Sequence, residues 1–460
     1  MTQPPNILIL LGLAALIAAA ADELARQADR RTGWRAAGPF LLVAATPLVP
    51  NQPVLLGFSL DDVLPLFGVG LMLPLVPWRR IRAYRWQPSP GTTIAFIGIA
   101  IVIVAALLSA ILNSGDPFEL GRLVVRGAGR FAFLLVIAVS LAILGSTDRS
   151  RSFAAQAIAA VGIFEAVFGL FAYFIGLPYG AGLEAARGSS VLAGEIPGRI
   201  SGTIGSSPNF TSAILMMSIL VTAGLALRSP ASRTRWWWWA AVVVQLAALT
   251  LTYTRVSLGL VVVALVILVL LRSRPILLAP IGVVLALVAA FTPTLTRFVS
   301  DIPDRLALWT SAFLLMIDHP IGGVGPGRML DAVADNPERY RATTFGEAWS
   351  TAHNTVLLAG AETGIVGAIG AFALNLGLAV IVIQAFRRAS KGAAGSLQVA
   401  AALALGIFLA QGMVNNLFTV GVTGICATFL LSTQLLEARL PDGPPGPRAV
   451  AEPAVAVDEV

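Results

Sequence analysis

The sequence predicts an all-α protein: a polytopic transmembrane helical bundle of 12–13 spans with one large extracytoplasmic loop. Three observations predict it. The hydrophobic fraction is 57% and the charged fraction only 12%, against about 25% charged in an ordinary soluble domain. Mean hydropathy is +0.83. Continuously apolar runs of up to 31 residues recur along the 460-residue chain, each near or above the ~20 residues that cross a bilayer as a helix. They lack the polar–apolar alternation of a barrel strand, which excludes a transmembrane β-barrel.

In chain order, spans are expected near 4–21, 37–56, 58–77, 92–112, 124–145, 153–176, 208–227, 236–253, 256–272, 275–292, 354–384, 397–415 and 419–437. The shorter count treats the first segment as irregular. The run at 354–384 is long enough to tilt or to reach beyond the bilayer. Charge orients the set. The connections 22–36, 78–91, 146–153, 228–235, 272–274, 386–396 and the C-terminal tail carry 20 of the 31 Lys and Arg. They are every second connection, as the positive-inside rule requires of cytoplasmic loops. The chain is thus expected to divide into a bundle of ten spans (1–292), an extracytoplasmic loop (293–352), three closing spans (353–437) and a disordered cytoplasmic tail (438–460). Trp236 to Trp239 follow Arg233 and Arg235 and read as an interfacial aromatic belt. The tail, rich in Pro and Ala, lacks the apolar residues that would order it.

Composition also narrows function. The net charge of +7 sits in short clusters between spans, not on one aromatic-interleaved face, so nucleic acid is not an expected partner. The single cysteine, Cys426, rules out an internal disulfide or a Cys-based zinc site. The start MTQPPN lacks the basic region of a cleaved signal peptide. No inverted repeat of the secondary-transporter kind is visible. A nucleotide-sugar DxD pair and an HExxH helix are both missing, so no metal and no cofactor is expected.

The candidate chemistry gathers in polar segments at span ends. Arg255 stands in LTYTRVSLG, at an outer turn between two spans. An arginine at membrane depth is costly unless a wet cavity or partner receives it. Snorkelling or a carboxylate would explain it, and so would an anionic head group. Arg122, Arg126 and Arg130 recur at i, i+4 and i+8 and so form one stripe. Like charges there repel, so something anionic should face them: Glu119, Glu165 or a lipid phosphate. Arg199 lies in GRISGTIGSSPNFTSA, where Asn209 is expected to cap a helix. Arg305 opens RLALWTSAFLLMIDHP, a partly amphipathic segment expected along the outer surface. PIGGVGPGR lacks the spacing of a phosphate-binding loop and reads as tight turning. Both histidines, His319 and His353, fall in the polar stretch between apolar runs. His353, followed by Asn354 at the head of a long span, has the near-neutral pKa of a base; His319 reads as structural. Asp61 and Asp62 adjoin in an outer loop, as either a base or helix-end acids.

Three of these pieces, in order, resemble the O-antigen ligase and polymerase family of bacterial envelope glycosyltransferases. RISGTIGSSPNFTSA is similar to the family's R..G....PN segment. LTYTRVSLG is similar to its T.SRG turn, with Thr254 and Val256 where Ser and Gly are usual. RLALWTSAFLLMIDHPIGGVGPG and HNTVLLAGAETGIVG resemble its large outer loop and closing motif. His353, Asn354, Gly364 and Gly367 fit H-N-x9-G-x-x-G. Together the pieces cover residues 199–367.

The resemblance implies transfer of a glycan from an undecaprenyl-diphosphate carrier to an acceptor hydroxyl. The reaction would be inverting and metal-independent, at the periplasmic face of a bacterial inner membrane. It assigns Arg255 and Arg305 to the diphosphate and His353 to the acceptor hydroxyl, with Asn354 beside it. Arg199 and the stripe Arg122, Arg126 and Arg130 are our own additions, as guides for carrier or acceptor phosphates. The expected partners are that donor, membrane lipids, and lipid A-core (a ligase, the leading expectation) or a second carrier-linked glycan (a polymerase). A chain-length regulator protein is a further candidate partner. A transporter or flippase of lipid-linked glycans is the reading from another class.

Overall fold

A computed structural model of the chain describes residues 89–136, 148–177, 183–184, 198–203, 207–230, 233–272, 302–340, 352–390, 395–415 and 417, with a few positions before residue 60. The expected spans 4–21, 275–292 and 419–437, the pair Asp61 and Asp62, and the tail lie outside the described residues. The described residues are almost entirely helical, and the chain is an all-α polytopic membrane protein. Among the described residues, four helices are long and apolar enough to cross a bilayer: Pro90–Asn113, Ser152–Ile175, Pro208–Arg228 and Thr355–Arg388. We label the helices α1 (Pro90–Asn113), α2 (Pro117–Val124), α3 (Asp148–Ile175), α4 (Pro208–Arg228), α5 (Arg233–Leu251), α6 (Arg255–Arg272), α7 (Ile302–Asp318), α8 (Met329–Asp335), α9 (Pro337–Tyr340), α10 (Thr355–Ser390) and α11 (Ser396–Gly412).

The helix starts follow from local chemistry. Ser89 caps α1, its hydroxyl accepting from Thr92 N at 3.2 Å, with Pro90 at the first helical position. Asp116 caps α2, accepting from Phe118 N and Glu119 N at 2.8 and 2.9 Å, again ahead of a proline. Side-chain acceptors there satisfy N–H groups that have no partner within the helix. The expected span at 124–145 therefore starts earlier, at Pro117, and runs through a π turn at Val125–Gly129. Ser207, not Asn209, caps α4, because Pro208 takes the first helical position and the cap falls two residues earlier. A short hairpin pairs Pro53–Leu55 with Phe58–Ser59. It lies where spans 37–56 and 58–77 were expected to meet, so residues 53–55 and 58–59 are strand where helix ends were expected.

Helix α4 is the hub. Nearly all its residues are buried, and α3, α5, α6 and α11 surround it. Burying apolar surface hardly discriminates helix from lipid, so close approach and polar contacts must fix the partners. Ser218 Oγ donates to Ile158 O on α3 at 3.1 Å, and Gln245 Nε2 of α5 donates to Thr222 Oγ1 at 3.1 Å. Ser212 and Ser257 of α6 join hydroxyls at 2.9 Å. A second contact pairs α1 with α10 backbone to backbone. A Cβ on Gly98 would overlap Leu374 N, and one on Gly91 would lie 2.8 Å from Gly377 O. The apolar side chains left outside, among them Val104, Ile111, Phe174, Ile369 and Phe372, face outward as a membrane protein requires.

The chain has two cores. The larger belongs to the bundle and takes Leu374, Leu378 and Ile381 from α10. The smaller joins Ala312 and Leu315 of α7, Met329, Tyr340 and Ala352 to Leu358 and Ala361 of α10. Helix α10 is thus shared, and its backbone breaks between the two at Gly364 (φ 76°, ψ −173°). Helix α7 packs against α10 through one face and exposes Leu306, Phe313 and Ile317 on the other.

Candidate active site

Five helix ends meet at one end of the bundle, and polar side chains stitch them together. Arg199 Nε donates to Thr252 O at 3.0 Å, just past α5, and its Nη2 reaches Thr254 Oγ1 at 3.5 Å. Thr254 Oγ1 donates to Asn209 Oδ1 at 3.4 Å, in the first turn of α4. Gln411 Nε2, near the end of α11, donates to Asn209 O at 3.4 Å and Ser212 Oγ at 3.3 Å. Asn354 Nδ2 donates to Met413 O at 3.0 Å, and Thr355 Oγ1 to Gly412 O at 3.1 Å. Arg255 opens α6 directly after Thr254. The structure therefore brings Arg199, Asn209, Arg255, His353 and Asn354 into one connected end of the fold.

Two turns in this network carry the left-handed backbone that bulky side chains avoid. Among the described residues, only Tyr253 (φ 53°) and His353 (φ 48°) do so without being glycine. Such conformations cost ~1–3 kcal/mol and persist where the surroundings over-determine them. Each immediately precedes a candidate, Thr254–Arg255 in one case and Asn354 in the other. Tyr253 is held by a 3.3 Å contact between its hydroxyl and that of Tyr173. Burial first, then that hydroxyl, pushes its phenol well above the ordinary range, so it stays neutral. The His353 turn is held by Asn354, whose Oδ1 accepts from Val356 N and Leu357 N, both at 3.0 Å, while its Nδ2 reaches α11. Both ends of the Asn354 amide are thereby engaged in holding His353. His353 and Arg255 themselves are half-buried.

The arginine stripe belongs to a neighbouring cluster. Glu119 faces it as expected, 3.8 Å from Arg122, and also pairs with Arg328. Glu165 does not. It is buried against Thr203, accepting from that residue's backbone N at 3.0 Å and from its hydroxyl. Arg126 has first Asp331 and then Glu362 as nearby carboxylates, and Arg130 has Glu362, which also accepts from the backbone of Gly327.

The glycine-rich run is more than a turn. Ile365 N donates to Pro320 O, Val324 N to Ala361 O, and Gly325 N to Glu362 O, at 2.9–3.0 Å. Ser109 Oγ adds a bond to Glu362 O at 2.8 Å. Residues 320–325 are thus spliced into the break of α10 and satisfy backbone groups that the break exposes. A Cβ on Gly364 would lie 2.5 Å from Pro320 O, and one on Gly323 would overlap Glu362. Gly364 of the H-N-x9-G-x-x-G pattern is therefore required by this splice.

Helix α7 carries Arg305 in its first turn, but that side chain lies outside the described residues. The outer unit is clipped shut beyond it. Arg339 forks onto Asp318 at 2.5 and 2.6 Å, and Tyr340 OH donates to Asp318 Oδ2 at 2.8 Å. These hydrogen bonds, Arg339 first, hold the Asp318 carboxyl down at about 2. His319 stays exposed at the surface.

Sequence reasoning missed Gln411 and Glu362. Each is a polar side chain at the end of an apolar run, and inward-facing polar groups at such positions are a signal that could have found them.

Residues 240–372 match the family model described as O-antigen ligase. That stretch holds Arg255, Arg305, the spliced loop, His353 and the break in α10. A search of curated proteins finds no match.

Proposed function

We propose that this chain, a member of the O-antigen ligase and polymerase family through residues 240–372, is a glycosyltransferase that moves a glycan from undecaprenyl diphosphate to an acceptor hydroxyl at the periplasmic face of the inner membrane. The observation that carries the reading is the single hydrogen-bonded end that unites Arg199, Asn209, the Thr254–Arg255 turn and the His353–Asn354 turn. Residues far apart in sequence meet there, and they are of the types this chemistry needs.

In this reading the acceptor hydroxyl attacks the anomeric carbon as the bond from that carbon to the phosphate oxygen breaks. His353 takes the hydroxyl proton, the lipid diphosphate leaves, and the anomeric centre inverts. Charge grows on the departing diphosphate, and guanidinium forks suit it by geometry and permanent charge. Arg255 and Arg305 hold it, in the role a metal would otherwise fill. Arg199, bonded to Thr252 and Thr254, positions Arg255. Asn354 fixes the His353 turn. Along the stripe, Arg122 meets carrier or acceptor phosphate, while Arg126 and Arg130 share Glu362.

A ligase and a polymerase would use the same residues and differ in acceptor; the ligase reading leads. A strain deleted for this chain separates them. Long glycan on the carrier with bare lipid A-core establishes the ligase. Single repeats on the core establish the polymerase. Carrier-linked glycan held at the cytoplasmic face would overturn transfer and leave transport.

A further inference from the structure

The proposed base and the proposed diphosphate arginine Arg255 are built into different cores. Ala352, next to His353, and the first helical stretch of α10 belong to the outer core with α7, α8 and α9. The bundle core takes α10 only beyond Gly364, together with α4 and α6, whose first residue is Arg255. A continuous helix would fix the angle between them through its own hydrogen bonds. The break at Gly364 removes that constraint. The direction of residues 355–363 is set instead by what grips each end.

At the His353 end the grip is Asn354 and Thr355 on Met413 and Gly412. At the other end, Glu362 gathers most of it. Its carbonyl accepts from Gly325 N and Ser109 Oγ. Its carboxyl accepts from Gly327 and has Arg130 and Arg126 nearby, on or beside the π turn after α2. One residue therefore ties the 320–327 loop to α10 beside the stripe. Nine helical residues rise about 13 Å, so a tilt of about 4° at Glu362 moves the His353 end by about 1 Å. A displacement of that size costs roughly a hundredfold in a reaction that depends on placed groups.

We infer that Glu362 is a positioning residue of the transfer reaction, setting His353 against Arg255 from the far end of the first segment of α10. The inference rests on the transferase reading. It also gives the stripe a place: two of its arginines stand near the carboxyl of the residue that aims the base.

The test is Glu362→Gln in the full-length chain purified in detergent, assayed with carrier-linked glycan extracted from the deletion strain. Gln can still accept from Gly327 but carries no charge for the arginines. Amides 353–358 should exchange faster while those of α4 stay as in wild type. Stoichiometric binding of the carrier-linked glycan should persist, because Arg255 is on the other core. Turnover should fall about ten- to a hundredfold, and Glu362→Asp should recover part of it. A merely structural role would lower binding stoichiometry along with turnover and speed exchange throughout, and that pattern overturns the inference. So does unchanged exchange at 353–358 or wild-type turnover. If Glu362→Gln does not fold, Ser109→Ala, which removes only the bond to the Glu362 carbonyl, should show the same pattern more weakly; its matching wild type would count equally against the inference. Failure of the transferase reading looks different: wild type itself then moves no glycan, and the inference falls with it.

Discussion

His353 joins two properties that seldom coincide, a titratable ring and a left-handed backbone held at φ 48°. Asn354 supplies the hold, with its amide bonded at both ends. His353→Ala should abolish transfer while expression and membrane insertion stay normal, read as surface glycan in complemented cells; full activity would remove the base from the account. Arg255 is argued from geometry more than charge. Arg255→Lys keeps the charge but loses the fork, so turnover should drop nearly as far as in Arg255→Ala. A Lys variant working at the wild-type rate would reduce Arg255 to simple charge pairing. Arg255 and His353 were legible in the sequence because ionisable groups are rare in apolar runs. Glu362 was less legible: a lone carboxylate in a motif does not say which cation it meets. Its partners at Gly327, Arg126 and Arg130 come from distant segments.

Among the elements, α10 diverges most from its reading. A run of 31 apolar residues reads as one tilted helix, because glycine is tolerated in spans and leaves the hydropathy unchanged. The break appears only once the 320–325 loop is seen replacing its hydrogen bonds. Gly364→Ala should therefore destabilise the chain by roughly 1–3 kcal/mol, measured by denaturation in detergent. The added methyl group meets Pro320 O, and alanine resists the positive φ. The outer unit offers a pH test. Asp318 is held at about 2, below the ordinary ~3.9 of a free aspartate. Its folded value is the lower one, so its stabilisation is fully present above about 4 and lost as pH falls towards 2. Exchange protection around Tyr340 should hold at pH 5 and collapse between about 4 and 2, whereas Asp318→Asn should lose that protection already at neutral pH.

Taken whole, the bundle shows what hydropathy can reveal. The spans at 92–112, 153–176, 208–227, 236–253, 256–272 and 397–415 all coincide with helices to within a few residues. The lengths of apolar runs are set by the bilayer, which is why they can be read. The packing was not legible: α4 as hub, the glycine seam of α1 and α10, and the division into two cores depend on which faces meet. Hydropathy is blind to that. Gly98→Val should open the seam, since its branched side chain would have to enter the backbone of α10; the expected result is a markedly less stable chain with the His353 segment exchanging faster. In the proposed reaction, glycan is transferred at the hydrogen-bonded end of the molecule that carries His353 and Arg255. The most direct measurement is transfer by the purified chain in lipid vesicles, with carrier-linked glycan as donor and lipid A-core as acceptor. Wild type should build glycosylated lipid A-core while His353→Ala, equally folded, builds none. Product formed at the wild-type rate by His353→Ala would contradict the account.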